Sequence, residues 1–372
     1  MKYLYSAFFI MLTLTGASAL YAQSAGEQGD YLTYSWKKVA TQMPATWYAS
    51  ADAEKVAATV LYCQLDAGGW AKNKPYHHPM TAEDSSSVRE NRSGIGATID
   101  NGATTTEMIF LANIYAATGE GRYFTAFEKG IYYLLSSQYP NGGFPQFYPF
   151  RKGNSVSYAS HITYNDNAMV NVLRLFRKII DGDSLYARMP LSGKVRERIR
   201  KAWDKGVDCI LQTQIRVKGQ LTVWCAQHDE VSLLPANARA YELASFSGQE
   251  SIGIIQLLMD IPQPSERIIH SVKGAMQWMD EHKITGWRLE NKPGADGKKN
   301  MILIPDPAAP VLLARFYDLD TGKPFFCDRD GIKKNSLAEI GPERRNGYSW
   351  YTTGFESLQK QYTNWKLRWN IK

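Results

Sequence analysis

Apolar residues recur along this chain with the period of an α-helix. In residues 167–180, Met169, Val172, Leu173, Phe176, Ile179 and Ile180 share one helical face. The same spacing runs through 104–117 (Met108, Leu111, Ala112, Tyr115) and 122–138 (Phe124, Phe127, Ile131, Leu134, Leu135). It returns in 192–212 (Val195, Ile199, Ala202, Trp203, Ile210) and in two segments at 248–259 and 266–281. A shorter stretch, 53–65, has Val56, Val60 and Leu61 on one face, whereas 74–95 reads as irregular and polar. Strand-like alternation is not sustained over any long window.

The six long segments form three pairs: 104–117 with 122–138, 167–180 with 192–212, and 248–259 with 266–281. Segments carrying an aromatic after a turn separate them, at Trp70, Phe144, Trp224 and Trp287. This weak repeat predicts an all-α fold, an (α/α)3 toroid of helical hairpins with irregular loops forming a cleft on one rim. The alternative is an irregular helical domain, which leaves the recurrence unexplained. If the first helix of each pair is the inner one, the inner N-termini share a rim. They are led by Ile99-Asp100-Asn101-Gly102, by Asn165-Asp166-Asn167, and by Arg239, Glu242 and Glu250. Polar residues far apart in sequence then meet in one cleft.

Composition narrows the partner. The chain has 372 residues, 44% hydrophobic and 12% aromatic, enough for a large core. A net charge of +7 points to an anionic partner: nucleic acid, a membrane surface or an acidic polysaccharide. No long Lys/Arg run is present, which disfavours nucleic acid. Residues 1–22 read as a signal peptide, with Lys2, an apolar run over 5–14 and small residues at Ala17-Ser18-Ala19 and Ala22. The expected mature chain, 23–372, is then a single catalytic domain, secreted or periplasmic, with no membrane span. The four cysteines lack zinc-ligand spacing; Cys209 and Cys225 could pair in an oxidising compartment, or remain buried thiols.

Each candidate for chemistry has a plainer reading. Asp100-Asn101 and Asp166-Asn167 suit helix caps. Two such dipeptides at matching points of a repeat also suit Ca²⁺, which takes six to eight oxygens, although no EF-hand loop is present. His161 is of a residue type that serves as a general base, but orienting the Asn165–Asp166 turn is the favoured role. His77-His78 reads as solvated surface. Arg239, near Tyr241 and Glu242, reads first as a salt-bridged arginine. Lys72, Arg315, Arg329, Arg344 and Arg345 are each ordinary surface charges, yet as a set they suit a row of carboxylates. Ser247-Gly248 forms no nucleophile elbow.

Seven segments carry a family resemblance. They are DAGGWAKN (66–73), IDNGATTTEM (99–108), YPNGGFPQFYP (139–149), HITYNDNAM (161–169), PANARAYELASFSGQES (235–251), RFYDLDTGKPFFCDRDG (315–331) and ERRNGYSWY (343–351). In this order, across nearly the whole mature chain, they resemble the pectate lyases of polysaccharide lyase family 10. The resemblance implies an (α/α)3 toroid and Ca²⁺-dependent β-elimination of polygalacturonate. It implies Asp100 and Asp166 as calcium ligands, Arg239 as catalytic base, and Arg315 and Arg329 as partners of substrate carboxylates. Lys72, Asn101, His161 and Tyr348 complete the expected substrate-binding set. In this chemistry a base removes the C5 proton while the metal and arginines stabilise the developing negative charge, and the C4–O bond breaks to leave a 4,5-unsaturated end. An arginine base requires burial and neighbouring cations that disfavour its charge. A glycoside hydrolase on a similar toroid and a non-catalytic pectin-binding protein are the alternatives. A monomer that binds acidic polysaccharide is expected.

Overall fold

Apolar faces decide which helices lie inside. The computed structural model describes residues 30–372 except 152, 295, 296 and 298; the expected signal peptide lies outside the described residues. Helices α1 (Trp36–Thr41), α2 (Ala51–Tyr62) and α3 (Ala82–Asn91) come first. The first predicted pair is α4 (Thr105–Thr118) and α5 (Gly121–Ser137). The second is α6 (Ala168–Asp181) with α8 (Gly193–Thr213), separated by the single turn α7 (Ser184–Ala187). The third is α9 (Glu250–Met259) with α10 (Glu266–His282), and α11 (Pro342–Gly347) and α12 (Phe355–Trp369) close the chain.

Helix α4 buries Met108, Phe110, Leu111, Ala112 and Ile114, on more than one side. Helix α9 likewise buries Ile254, Ile255, Leu257, Leu258 and Met259. A helix apolar nearly all round belongs in an interior. Helix α6 packs against both, and α5, α8 and α10 pack outside α4, α6 and α9 respectively. The fold is therefore the all-α (α/α) toroid, with the first helix of each pair inside. Glycines in the left-handed region, Gly119 and Gly182, end α4 and α6, and serines Ser192 and Ser265 cap the starts of α8 and α10.

A repeated glutamine binds the outer ring together. The Gln64 amide donates to the carbonyls of Gly68 and of Ala126 on α5, both at 2.8 Å. Gln138 donates to Gly142 (3.0 Å) and to Ala202 on α8 (2.8 Å). Gln214 donates to Thr222 (2.6 Å) and to Ser271 on α10 (2.9 Å). Each glutamine follows one outer helix, holds the rim loop behind it and reaches the next outer helix, so α2 belongs to the outer ring. The aromatics of these loops, Trp70, Phe144 and Trp224, are fully buried. Trp287 breaks the pattern: it is 41% exposed and opens an antiparallel hairpin, Trp287–Pro293 with Lys299–Pro305. The fourth aromatic is therefore not a copy of the repeat.

Two further expectations are corrected. Residues 82–91 form a helix within the stretch read as irregular, because Thr81 and Asp84 make a reciprocal capping box. His77 is buried and stacks on Trp36 with ring centroids 6.1 Å apart, so only His78 of the pair is exposed. All four cysteines are buried free thiols, which settles Cys209 and Cys225 as unpaired. No described helix is long and apolar enough to cross a membrane. A second, smaller core gathers Tyr241, Phe316, Phe325, Phe326, Cys327, Leu337, Ile340 and Trp350 beside the main one.

Candidate active site

Two tight turns lead into α4 and α6, and they repeat residue by residue. Asp100–Gly102 and Asn165–Asn167 pack against each other. Their middle residues, Asn101 (φ 53°) and Asp166 (φ 50°), both occupy the left-handed region, as do Gly102 (φ 75°) and Asn167 (φ 60°) after them. Asn and Asp tolerate this conformation better than other non-glycine residues. The first residues, Asp100 and Asn165, are both buried, and the second, Asn101 and Asp166, are exposed. Asp100 therefore corresponds to Asn165, and Asn101 to Asp166. The two Asp-Asn dipeptides are out of register by one residue, so matching them as equivalent points of the repeat was incorrect. Alignment on the buried threonines, Thr98-Ile99-Asp100 against Thr163-Tyr164-Asn165, carries the correct register. The N-cap residues of the helices that follow, Thr104 of α4 and Asn167 of α6, make no side-chain cap hydrogen bond, so capping does not account for these polar groups.

The two aspartates differ in surroundings. Asp100 is buried; its Oδ2 is paired with Lys72 and its Oδ1 has no hydrogen-bond partner. Asp166 is 40% exposed, and its Oδ2 accepts from Asn165 Nδ2 at 2.7 Å. Asn101 Nδ2 donates to Asn73 Oδ1 at 2.9 Å. From the other side comes Arg315, almost wholly buried. Its Nη2 donates to Glu250 Oε1 (2.6 Å), Asn165 Oδ1 (3.0 Å) and Asp166 Oδ1 (3.4 Å). Burial pushes the Glu250 carboxyl up to about 7 against the pull of Arg315. Burial opposes the charge of Arg315, but Glu250 and the acids beyond it keep its pKa above the ordinary value. Arg315 therefore stays charged and links the Asn165–Asn167 turn to the first residue of α9.

An arginine–tyrosine stack adjoins this centre, over the smaller core. Arg344, Arg239 and Arg329 lie 3.6, 4.9 and 5.7 Å from the ring of Tyr241. Arg344 and Arg315 lie 4.5 and 4.6 Å from the ring of Tyr348. Attraction of each guanidinium to the negative face of a ring offsets part of the repulsion between like charges. Glu242 neutralises part of the cluster: it accepts from Arg239 Nε (2.8 Å), Arg239 Nη2 (2.6 Å) and the Tyr348 hydroxyl (2.8 Å). Although burial works against its charge, Arg239 holds Glu242 below the usual carboxylate range. In return the Glu242 hydrogen bonds raise the pKa of Arg239, which is 45% exposed. Arg329 pairs with Glu343 (2.8 Å) in solvent. Arg344 is different: it is buried, and its Nε and Nη2 have no hydrogen-bond partner.

His161 stands apart from both clusters. Its Nδ1 lies 2.9 Å from Glu230 Oε2, and Asp229 is close enough to form a three-residue group with them. Among the described residues its ring bonds to Glu230 and not to the Asn165–Asp166 turn it was expected to orient. The structure thus brings Lys72, Asp100, Asn101, Asp166, Glu250 and Arg315 to one rim, with Arg239, Arg329 and Tyr348 gathered around Tyr241 and Glu242. Sequence reading placed Asn165 and Glu250 at the rim but gave neither a role of its own. The threonine register would have found the first; nothing local marks the second, because Arg315 arrives from 65 residues away.

A toroid whose rim combines buried acids with stacked arginines is suited to an acidic sugar chain, and comparison with known proteins gives that class a firm basis: this is a polysaccharide lyase. Two solved structures of a family 10 polysaccharide lyase from Cellvibrio cellulosa are similar to it. One is a mutant in complex with trigalaturonic acid. Both share 34% identity and a TM-score of 0.74 over 88% of this chain, covering 95% and 94% of theirs. No curated protein sequence matches the chain. The family model for pectic acid lyase matches residues 64–358, and the chain belongs to that family.

Proposed function

We propose that this protein is an exported, calcium-dependent pectate lyase that cleaves polygalacturonate by β-elimination to 4,5-unsaturated oligogalacturonides. The observation that carries this reading is the pair of adjoining turns, which bring together a buried aspartate paired with Lys72 and a half-exposed one beside the charged Arg315. The donor set fits calcium. Asp100 Oδ1 is a buried oxygen without a donor, Asp166 is open to solvent, and the carboxamides of Asn101 and Asn165 are adjacent. Asp100 and Asp166 would hold the ion, and Lys72 would give up part of its contact with Asp100. When bound, calcium neutralises the uronate carboxylate next to the reacting carbon and so acidifies the C5 proton.

The chain's own groups do the rest. Arg315, fixed by Glu250, presents a permanent charge to a substrate carboxylate, and Arg329, on the surface, can exchange Glu343 for another. Lys72, Asn101, His161 and Tyr348 are assigned to substrate positioning. Arg239 is assigned as the base at C5. Its bidentate pair with Glu242 opposes that role, so the pair must open before Arg239 can give up a proton. The same pair supports a second reading, in which a charged Arg239 stabilises the carbanion and another group takes the proton.

Purified protein given polygalacturonate and Ca²⁺ should release ultraviolet-absorbing unsaturated ends, and EDTA should stop this. New reducing ends without the absorbance would mean hydrolysis; binding without product would mean a silent pectin-binding protein. Arg239→Ala should lower kcat by at least about 100-fold while Ca²⁺-dependent pectate binding persists. Glu242→Gln separates the two roles of Arg239. Losing the carboxylate lowers the Arg239 pKa, so a base would show the rising limb of its pH–activity profile at lower pH, whereas a charged stabiliser would show no such rise and would lose activity sooner at high pH. A polymeric substrate is consistent with action outside the cytoplasm as a monomer, which cell fractionation and light scattering would check.

A further inference from the structure

A groove of about 890 Å³ adjoins the calcium-suited rim, and no residue of the arginine–tyrosine stack lines it. Asn101 and Asp166 are among its lining residues, and its walls come from α1, α4 and α6. Its size is within the range of built ligand sites. Four cations line it: Lys37, Lys74, Arg174 and Lys178. Among the described residues none of the four makes an ion pair, in contrast to Lys72, Arg239, Arg315 and Arg329, which all do. Burial lowers the pKa of Arg174, with only Asp260 opposing it electrostatically. Lys37, Lys74 and Lys178 are exposed. A cleft lined by one sign of charge concentrates its field on an opposite ligand.

The wall holds a second, independent sign of a ligand. Glu107 on α4 is fully buried; its Oε1 accepts from Trp36 Nε1 at 2.6 Å, while its Oε2 has no partner. Burial raises its pKa to about 7, so around neutrality the carboxyl is partly protonated and can donate to, or accept from, a sugar hydroxyl. Trp36, beside it, also lines the groove, as does the carboxamide-bearing pair Asn167 and Asn171. Unpaired cations with amides and a partly protonated acid match a chain that alternates carboxylates and hydroxyls better than they match a purely ionic ligand.

We infer that this groove binds a further stretch of the acidic polysaccharide, beyond the sugars that meet the calcium rim, and so gives the protein a preference for long chains. The inference rests on the functional reading above. It is tested by calorimetric titration in EDTA, where turnover does not consume the ligand, with trigalacturonate, decagalacturonate and polyglutamate. The decamer should bind at least about tenfold more tightly than the trimer, and Lys37→Glu with Lys178→Glu should erase that gain. Both positions are exposed, so the variant is expected to fold; Arg174→Gln provides a second test within the wall. Equal affinity for trimer and decamer, a gain that survives the charge reversals, or polyglutamate binding as tightly as the decamer would overturn the inference. Product absorbance with Ca²⁺ is followed separately. Unsaturated product with equal trimer and decamer affinity rejects the groove alone, and absence of product rejects the lyase reading whatever the titration shows.

Discussion

Glu107 and Glu250 are carboxylic acids placed where water cannot solvate a charge. Each has its pKa pushed to about 7, from an ordinary 4.5, by burial. The folded state then binds more protons than the unfolded state between those values, so stability falls as pH rises through that window and does not recover above it. For Glu107, which has no cationic partner, the loss amounts to roughly 3 kcal/mol. Glu107→Gln keeps the acceptor for Trp36 and removes the titration. Urea unfolding at pH 5 and pH 8 should show the wild type losing that much more stability than the variant; equal losses would contradict the assignment. Asp100 and Asp166 offer a test of the metal proposal at the same scale. Calcium should raise the melting temperature of the wild type, and Asp100→Asn and Asp166→Asn should each reduce that rise.

The rim loops show what a helical hairpin needs in order to repeat. Gly142 has φ +93°, and a Cβ there would lie 2.0 Å from the Lys205 carbonyl oxygen on α8. Gly68 has the matching arrangement, φ +99° and 2.6 Å from the Lys129 carbonyl on α5. Both glycines let a loop touch the backbone of the next outer helix, where the preceding glutamine also bonds. Gly142→Ala should cost at least about 2 kcal/mol from backbone strain and the clash. Gln214→Leu, which removes the hydrogen bonds to Thr222 and Ser271, should cost about 1–3 kcal/mol. Chemical denaturation of the two variants would measure both. The Gln-to-aromatic spacing is six residues at Gln64–Trp70 and at Gln138–Phe144 and ten at Gln214–Trp224, so the motif is readable in the first two copies and stretched in the third. Helix positions were legible because their apolar spacing is local. The short α3 was not, because a capping box, and no buried residue, holds it.

Across the whole molecule, the arginines stand on a core of their own. Trp350 fills that smaller cluster, and its Nε1 donates to the Arg344 carbonyl at 3.0 Å. Trp350→Ala should cost about 3–5 kcal/mol. Hydrogen exchange should show the loss concentrated around 241–350 while α4, α6 and α9 remain protected; uniform deprotection would show that the two cores unfold as one.

The sequence by itself determined the hairpin repeat and the list of charged residues, because helical periodicity is written in neighbouring positions and a family's motifs persist in linear order. Only the tertiary structure decided how those charges pair. Arg315 meets Glu250 and Asp166 across three separate chain segments, Glu242 binds Arg239 and Tyr348 together, and the one-residue offset between the Asp100 and Asp166 turns follows from backbone conformation. Pairing, burial and the resulting proton affinities depend on distances through space, which residue spacing along a chain does not encode.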